Sequence, residues 1–211
     1  MKVKTFQFNP VGENTYIVFD ETKECVIIDA GCFFPNEKEL LLSFIQENNL
    51  VVKRLLNTHL HFDHVLGNQF IKEQFGLDCE ANKADEFLLD GLEAQLRMFG
   101  FPPVGETPKI GKYINEGDII EFGNQKFEVF EVPGHSPGSV VFYSKERHTL
   151  FVGDVLFRYS IGRTDLAGGS YEQLIEGIHN KLLILPPETI VYSGHGPTTT
   201  IGEEIKNNPY L

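Results

Sequence analysis

The sequence predicts a mixed α/β fold in which two β-sheets pack together and helices cover their outer faces. Short apolar runs bounded by Gly and Pro, which are typical of buried strands, alternate with segments of helical periodicity. The mixture occurs in two roughly similar halves of the chain. Because no linker or low-complexity tract separates the halves, residues 1–211 are interpreted as a single domain.

In the first half of the chain, the sequence predicts strands on either side of a helix, followed by two more helices. The capping-box pattern Asn36-x-x-Glu39 introduces the first helix. Strands are predicted at 2–8, 15–19, 24–29 and from Val51 onward, and the later helices at 65–75 and 84–99. The last helix is expected to carry five apolar residues on one face: Phe87, Leu88, Leu92, Leu96 and Phe99. The Pro- and Gly-rich stretch 100–111 is expected to be a loop at the rim of a pocket.

The second half is richer in predicted strands. A hairpin over 119–122 and 126–132 turns at Gly123-Asn124, and strands at 140–143 and 149–152 follow. A helix over 171–183 ends before Pro186-Pro187, a strand at 189–192 follows, and a short helix near 203–206 completes the prediction.

Four of the apolar runs lead directly into histidine or aspartate. The run that begins at Val51 precedes the motif Thr58-His59-Leu60-His61-Phe62-Asp63-His64, and the other three precede His135, Asp154 and His195. If these strand ends meet at one rim, they supply enough imidazole and carboxylate groups for one or two divalent metal ions. Zinc is favoured, with iron or manganese as alternatives. The seven candidate ligands are His59, His61, Asp63, His64, His135, Asp154 and His195.

The spacing suggests how the ligands divide. His59 and His61 are two residues apart, so an extended segment places both on one face, where His135 could complete a first ion site. Asp63 and His64 could hold a second ion with His195, and Asp154 has two oxygens with which to bridge. Structural alternatives are that Asp63 caps the following helix and that Asp154 is a turn residue. His148 and His179 are expected to have surface or packing roles.

Composition excludes several classes of partner. A formal net charge of −12 without a basic patch disfavours nucleic acid. No apolar stretch approaches the length that crosses a membrane. Three cysteines without paired spacing and the absence of a secretory signal predict a cytoplasmic protein with reduced thiols. No feature of the sequence predicts an oligomeric state.

The motif Thr58–His64 resembles the T-H-x-H-x-D-H signature of the metallo-β-lactamase superfamily without departure. Before the motif, Asp29-Ala30-Gly31 resembles the early Asp-x-Gly turn of that family. After it come three segments in the family's order: Gly134-His135-Ser136, Gly153-Asp154 and Gly194-His195-Gly196. The resemblance implies an αββα four-layer sandwich. It also implies that His59, His61 and His135 bind one metal ion, that Asp63, His64 and His195 bind the other, and that Asp154 bridges them.

Within the superfamily, segments 153–157, 160–165 and 194–211 are most similar to the short bacterial type II glyoxalases, the hydroxyacylglutathione hydrolases. This resemblance implies that a metal-bound hydroxide cleaves S-lactoylglutathione-like thioesters to a 2-hydroxy acid and a free thiol. Asp63 would orient the water or accept its proton. Arg163 would contact a substrate carboxylate, unless it only pairs with Asp165 to shape the loop. The chain stops soon after His195, too early for the basic extension that holds glutathione in longer members, so the resemblance leaves open whether glutathione is the carrier thiol.

Other activities fit the same residues. A persulfide dioxygenase with one iron ion could use His59, His135 and Asp154. A lactonase or β-lactam hydrolase would share the metal-water chemistry. The acidic charge opposes a nuclease. A non-enzymatic di-iron module typically carries glutamate where this chain has His61.

Overall fold

The computed structural model describes all 211 residues and contains fourteen strands and seven α-helices. The strands are β1 Lys2–Phe8, β2 Glu13–Phe19, β3 Glu24–Ile28, β4 Val51–Leu56, β5 Cys79–Ala81, β6 Ile110–Tyr113, β7 Ile119–Phe122, β8 Gln125–Glu131, β9 Val140–Ser144, β10 Thr149–Gly153, β11 Leu156–Phe157, β12 Ser160–Ile161, β13 Ile190–Ser193 and β14 Thr199–Thr200. The helices are α1 Pro35–Glu47, α2 Phe62–Val65, α3 Asn68–Phe75, α4 Glu86–Asp90, α5 Leu92–Met98, α6 Tyr171–Gly177 and α7 Ile201–Asn207.

Twelve of the strands form two six-stranded sheets, in the orders β1-β2-β3-β4-β5-β6 and β14-β13-β10-β9-β8-β7, and β11 and β12 form a separate ribbon. In the first sheet β3, β4, β5 and β6 are parallel, and in the second sheet β10 and β13 are parallel. Parallel neighbours end at the same edge of a sheet. The topology therefore brings the residues after β3 and β4, and those after β10 and β13, to common edges.

Apolar side chains pack in three places, namely between the two sheets and on the outer face of each sheet. Tyr16 and Ile28 of the first sheet pack against Phe127 and Phe151 of the second, so a continuous core lies between the sheets. The outer face of the first sheet packs against α1 and α3, and that of the second packs against α6 and α7. Burial of these faces is the main stabilising term of such a fold. The four layers confirm the predicted αββα sandwich.

The segment predicted as one helix over 84–99 is broken at Gly91. A short 3₁₀ turn at Lys83–Asp85 leads into α4, and α5 begins after the glycine. Leu88, Leu92 and Leu96 are buried as expected, but Phe87 and Phe99 are 43% and 48% exposed. The prediction of a single apolar face is wrong in this respect, because Gly91 interrupts the helix and the periodicity of one continuous helix does not apply across the break.

Five strands and two helix starts also differ from the sequence prediction. The short strands β5, β6, β11, β12 and β14 were absent from it, and β6 begins inside the stretch expected to be a loop. The first helix begins at Pro35, where the Glu37 carboxylate accepts hydrogen bonds from the amides of Phe33 and Phe34, so the capping box at Asn36 is wrong. The helix predicted from residue 65 starts at Phe62 as α2 and restarts as α3. None of the helices is both long and apolar enough to cross a bilayer.

Candidate metal centre

The candidate ligands lie in the loops that follow four strands. His59 and His61 come after β4, His135 after β8, Asp154 after β10 and His195 after β13. The motif loop after β4 turns directly into α2, whose first turn carries Asp63 and His64. Sheet pairing explains why residues so distant in sequence meet, since these strands all end at the same rim of the sandwich.

Three histidines form the first group. His61 Nδ1 lies 2.9 Å from His135 Nε2, which lies 3.3 Å from His59 Nε2. The three side chains are buried, with residue exposures of 7%, 2% and 1%. Three ring nitrogens that face one point at these separations are suited to one divalent ion.

Asp63, His64 and His195 form the second group. Asp63 Oδ2 lies 3.1 Å from His195 Nε2 and 3.7 Å from His64 Nε2. Asp154 stands between the groups, with Oδ1 3.5 Å from His64 Nε2 and Oδ2 3.6 Å from His135 Nε2. One carboxylate thus reaches both groups, which is the position that a bridging ligand requires.

Unpartnered polar atoms indicate that the cluster fits a metal. His64 Nε2 and Asp154 Oδ1 are buried without a hydrogen-bond partner. Such atoms destabilise a fold unless an ion, water or ligand satisfies them. The donors are imidazole and carboxylate with no cysteine, a set that zinc, iron and manganese accept. The residues present therefore fit a divalent cation.

Four of the candidate histidines have a ring nitrogen that faces away from the cluster and has a hydrogen-bond partner. Metal-binding histidines commonly use this second nitrogen in a hydrogen bond that fixes the tautomer and the ring orientation. Three of the partners are backbone or carboxylate oxygens and one is a hydroxyl. The contacts are His59 Nδ1 with Thr58 Oγ1 at 3.1 Å, His64 Nδ1 with Asp29 Oδ2 at 3.0 Å, His135 Nδ1 with the Arg163 carbonyl at 2.8 Å, and His195 Nδ1 with the Gly12 carbonyl at 3.2 Å.

Asp29 was not among the predicted site residues, yet it supports two of the loop side chains. Its carboxylate accepts hydrogen bonds from the Thr58 amide at 2.7 Å and the Thr58 hydroxyl at 2.6 Å, besides facing His64. Asp29 adopts a left-handed backbone conformation with φ of 52°, which Asp tolerates better than most residues. The only sequence signal was the Asp29-Ala30-Gly31 turn at the end of a strand.

Asp85 is a second supporting residue that sequence reasoning missed. It is fully buried and accepts hydrogen bonds from the Leu60 amide at 3.1 Å, the Ser136 hydroxyl at 2.7 Å and the Gly138 amide at 2.6 Å. It therefore ties the motif loop to the His135 loop. Burial raises the pKa of this carboxyl against the opposing effect of those hydrogen bonds. Nothing in the local sequence distinguishes it from a surface aspartate.

The electrostatics favour neutral imidazoles at His59 and His61 next to ionised carboxylates, whereas those carboxylates raise the pKa of His64 and His195 against the opposing effect of burial. Burial and the nearby His135 lower the pKa of His61 to about 3, and burial lowers that of His59 well below its usual value. Burial alone would raise the pKa of Asp63 and Asp154, but the charge on His64 together with the interactions of each carboxylate with His195 outweighs burial and lowers both. Neutral imidazole and ionised carboxylate are the protonation states that bind metal.

Asp63 and Asp154 lie in the ligand cluster, whereas His148 and His179 lie outside it. The residue before α2 is His61 and Asp63 lies within the helix, so Asp63 is not a helix cap. Asp154 does follow a strand, but its carboxylate points into the ligand cluster. His148 lies near Glu188, at 3.7 Å, and His179 is exposed beyond α6, so both are outside the cluster.

A cleft opens above the cluster. It has a volume of about 420 Å³, and its floor includes His61, Asp63, Asp154 and His195. Arg163 lines the cleft, but its guanidinium also forms two hydrogen bonds with Asp165, at 2.7 and 2.8 Å. The structure thus contains both features proposed for Arg163: the position beside a substrate site and the ion pair that shapes the loop.

The sequence and the fold are similar to those of known proteins. Residues 8–195 match the model of the metallo-beta-lactamase superfamily. Hydroxyacylglutathione hydrolase GloC of Haemophilus influenzae is 38% identical, over 100% of this chain and 98% of its own length. Two solved structures each share 38% identity and cover all of this chain: BLEG-1 B3 metallo-beta-lactamase (TM-score 0.89, 99% of that chain) and TTHA1623 in a di-iron-bound form (TM-score 0.87, 100% of that chain).

These matches extend over nearly the whole chain and agree with the four-layer fold described above. The His/Asp cluster occupies the matched region, which ends at His195. Hydrolase relatives at this identity support a hydrolytic enzyme. On this evidence, the chain belongs to the metallo-β-lactamase superfamily.

Proposed function

We propose that the protein is a metal-dependent thioester hydrolase that cleaves hydroxyacyl-thiol substrates of the S-lactoylglutathione type to a 2-hydroxy acid and a free thiol. The observation that carries the proposal is the carboxylate of Asp154, which stands between two three-ligand groups at the floor of a cleft. The full-length similarity to a hydroxyacylglutathione hydrolase supports thioesters over other carbonyl substrates.

The seven candidate ligands would hold one or two divalent ions, with zinc favoured and iron or manganese as alternatives. His59, His61 and His135 would hold one ion, and Asp63, His64 and His195 the other, with Asp154 shared. When bound, a divalent cation supplies a Lewis acid and lowers the pKa of water from 15.7 to about 7, so that hydroxide is available at neutral pH.

The protein's own groups would position the reactants. Asp63 lines the cleft with an ionised carboxylate, which can orient a water molecule or accept its proton. His195 is the most exposed of the candidate imidazole ligands, with 24% of its side chain accessible, and it lines the cleft. Arg163 is the only Lys or Arg that lines the cleft, so it is the cation available to a substrate that carries a carboxylate.

The substrate would be a small molecule in the cytoplasm. The charge of −12 favours this over nucleic acid. The three cysteines are free and buried, and burial raises the pKa of each thiol to about 12, which makes them inert. Reduced thiols of this kind support a reducing compartment.

The proposal is tested by elemental analysis of the purified protein together with a panel of substrates. We expect hydrolysis of lactoyl thioesters to exceed that of lactones and β-lactams. His61→Ala and Asp154→Ala should lose both metal and turnover, whereas the control His179→Ala should keep both. Oxygen uptake with a persulfide, while lactoyl thioesters stay intact, would instead identify a dioxygenase.

A further inference from the structure

The cleft above the ligand cluster is apolar on the side away from the metal. Its lining includes Val11, Phe87, Leu88, Met98, Phe99 and Leu166. Four of these are large apolar side chains that are markedly exposed: Val11 at 45%, Phe87 at 43%, Met98 at 79% and Phe99 at 48%. Single exposed apolar residues are ordinary, but a contiguous set around a cleft is typical of a ligand site.

The aromatic part of this lining is fixed in place. The Phe99 ring stacks on Phe62, with centroids 4.7 Å apart and planes at 21°. Phe101 contacts the same Phe62 ring edge to face, with centroids 5.2 Å apart. Phe62 directly follows His61 in the motif, so Phe62 and Phe99 form an aromatic wall of the cleft beside the candidate ligands, and Phe101 packs against Phe62 from outside the lining. A preformed apolar wall binds an apolar group with little cost of ordering.

The charges of the cleft do not suit a glutathione moiety. Glutathione carries two carboxylates and an ammonium group, and burying such charges requires partners. Arg163 is the only Lys or Arg among the lining residues, and its Nε and Nη2 already bind Asp165. The carboxylates in the lining, Asp63 and Asp154, belong to the candidate metal site.

We propose that the carrier thiol of the substrate is apolar and uncharged, and that its hydrocarbon part lies against Phe87, Met98 and Phe99. Such a substrate brings no carboxylate to Arg163, whose role is then the ion pair with Asp165.

This inference rests on the proposed function, because the reacting carbonyl must lie at the floor of the cleft near His61 and Asp63. A lactoyl group is small and polar, so a cleft of about 420 Å³ with an apolar wall is matched to the thiol part instead. The reaction is ordinary hydrolysis: water oxygen bonds to the carbonyl carbon, the carbon–sulfur bond breaks, and the leaving thiolate takes the electron pair and then a proton.

Two lactoyl thioesters that differ only in the thiol test the proposal. With metal-loaded protein, we expect kcat/KM for the 2-phenylethanethiol ester to exceed that for the glutathione ester by about tenfold or more. Met98→Ala and Phe99→Ala should each raise KM for the phenylethyl ester about tenfold and change the glutathione ester less than about twofold. Ile184→Ala is the matched control, because Ile184 is an apolar residue exposed to 74%, similar to Met98, and lies outside the cleft lining.

A binding measurement that requires no turnover completes the test. The thioether analogue of the phenylethyl ester is titrated calorimetrically into metal-stripped protein. We expect binding with a negative heat-capacity change, weakened by Met98→Ala and Phe99→Ala but not by Ile184→Ala.

The outcomes separate the two proposals. If neither thioester is hydrolysed, the proposed function fails and this inference falls with it. If the glutathione ester is the better substrate, or if the cleft variants affect both esters equally, the thioesterase stands and the apolar carrier thiol is refuted.

Discussion

Replacing Asp29 with Asn should weaken one metal site while leaving the fold intact. Asn tolerates the left-handed backbone at this position as Asp does. The change turns one acceptor oxygen of the side chain into an NH₂ donor. The Thr58 hydroxyl can rotate to accept from that donor, but the His64 Nδ1–H at 3.0 Å cannot. His64 must then move its proton to Nε2, the nitrogen that faces Asp63 and Asp154.

The size of the effect follows from the lost hydrogen bond. A hydrogen bond to a charged group contributes about 1.5–3 kcal/mol, and Asp29 is 1% exposed, so solvent offers no substitute. Since about 1.4 kcal/mol corresponds to a factor of ten, the ion at Asp63, His64 and His195 should bind about 10–100-fold more weakly. The ion at His59, His61 and His135 should change less, because His59 faces the Thr58 hydroxyl.

The assay is zinc titration of metal-stripped protein in competition with a chromophoric chelator, with the melting temperature measured in parallel. Asp90→Asn is the matched control, because Asp90 is exposed and outside the cluster. Zinc affinities of Asp29→Asn within about twofold of the wild type, at an unchanged melting temperature, would refute the reasoning.

Three other changes have defined outcomes. Asp85→Ala leaves the buried amides of Leu60 and Gly138 without an acceptor, while the Ser136 hydroxyl keeps Ser139 Oγ at 2.8 Å; the free energy of unfolding in urea should therefore fall by about 1–3 kcal/mol and bound metal by elemental analysis should decrease, and unchanged stability would contradict its supporting role. Burial opposes ionisation of Asp20, but hydrogen bonds, including those from Thr22 and Gln125, outweigh it and lower its pKa to about 2. Because the folded pKa lies below the ordinary value of 3.8 for aspartate, the stability that Asp20 contributes is present above about pH 4 and lost as pH falls towards 2. Asp20→Ala should remove that part of the acid dependence of urea unfolding, and an identical profile would contradict it. A Cβ at Gly194 would overlap the carboxylate of Asp154, so Gly194→Ala should lower turnover at least about tenfold with loss of metal, and full metal content would count against the geometry.

The fold and the candidate ligands could largely be predicted from the sequence because both depend on local patterns. Apolar runs of strand length identified most strands, and His or Asp directly after a run identified side chains at strand ends. The motif from Thr58 to His64 concentrates four of the candidate ligands in one loop, which left only three to be found elsewhere. Whether these side chains bind metal stays a prediction.

The rest depends on contacts between distant segments. Asp29 acquires its role only because β3 and β4 are parallel neighbours, which places it beside Thr58. Asp85 is significant only because two loops meet at its carboxylate. The exposed rings of Phe87 and Phe99 follow from a helix break at Gly91, whereas helical periodicity assumes a continuous axis. Strands β5 and β6 are too short to be recognised without the sheet edge on which they pair.

The most direct test of the metal centre is to measure lactoyl thioester turnover as zinc is returned to chelator-stripped protein. We predict no turnover in the stripped protein and recovery in proportion to bound zinc, saturating at no more than two ions per chain. Full turnover in protein that elemental analysis finds free of metal would contradict the metal-dependent mechanism.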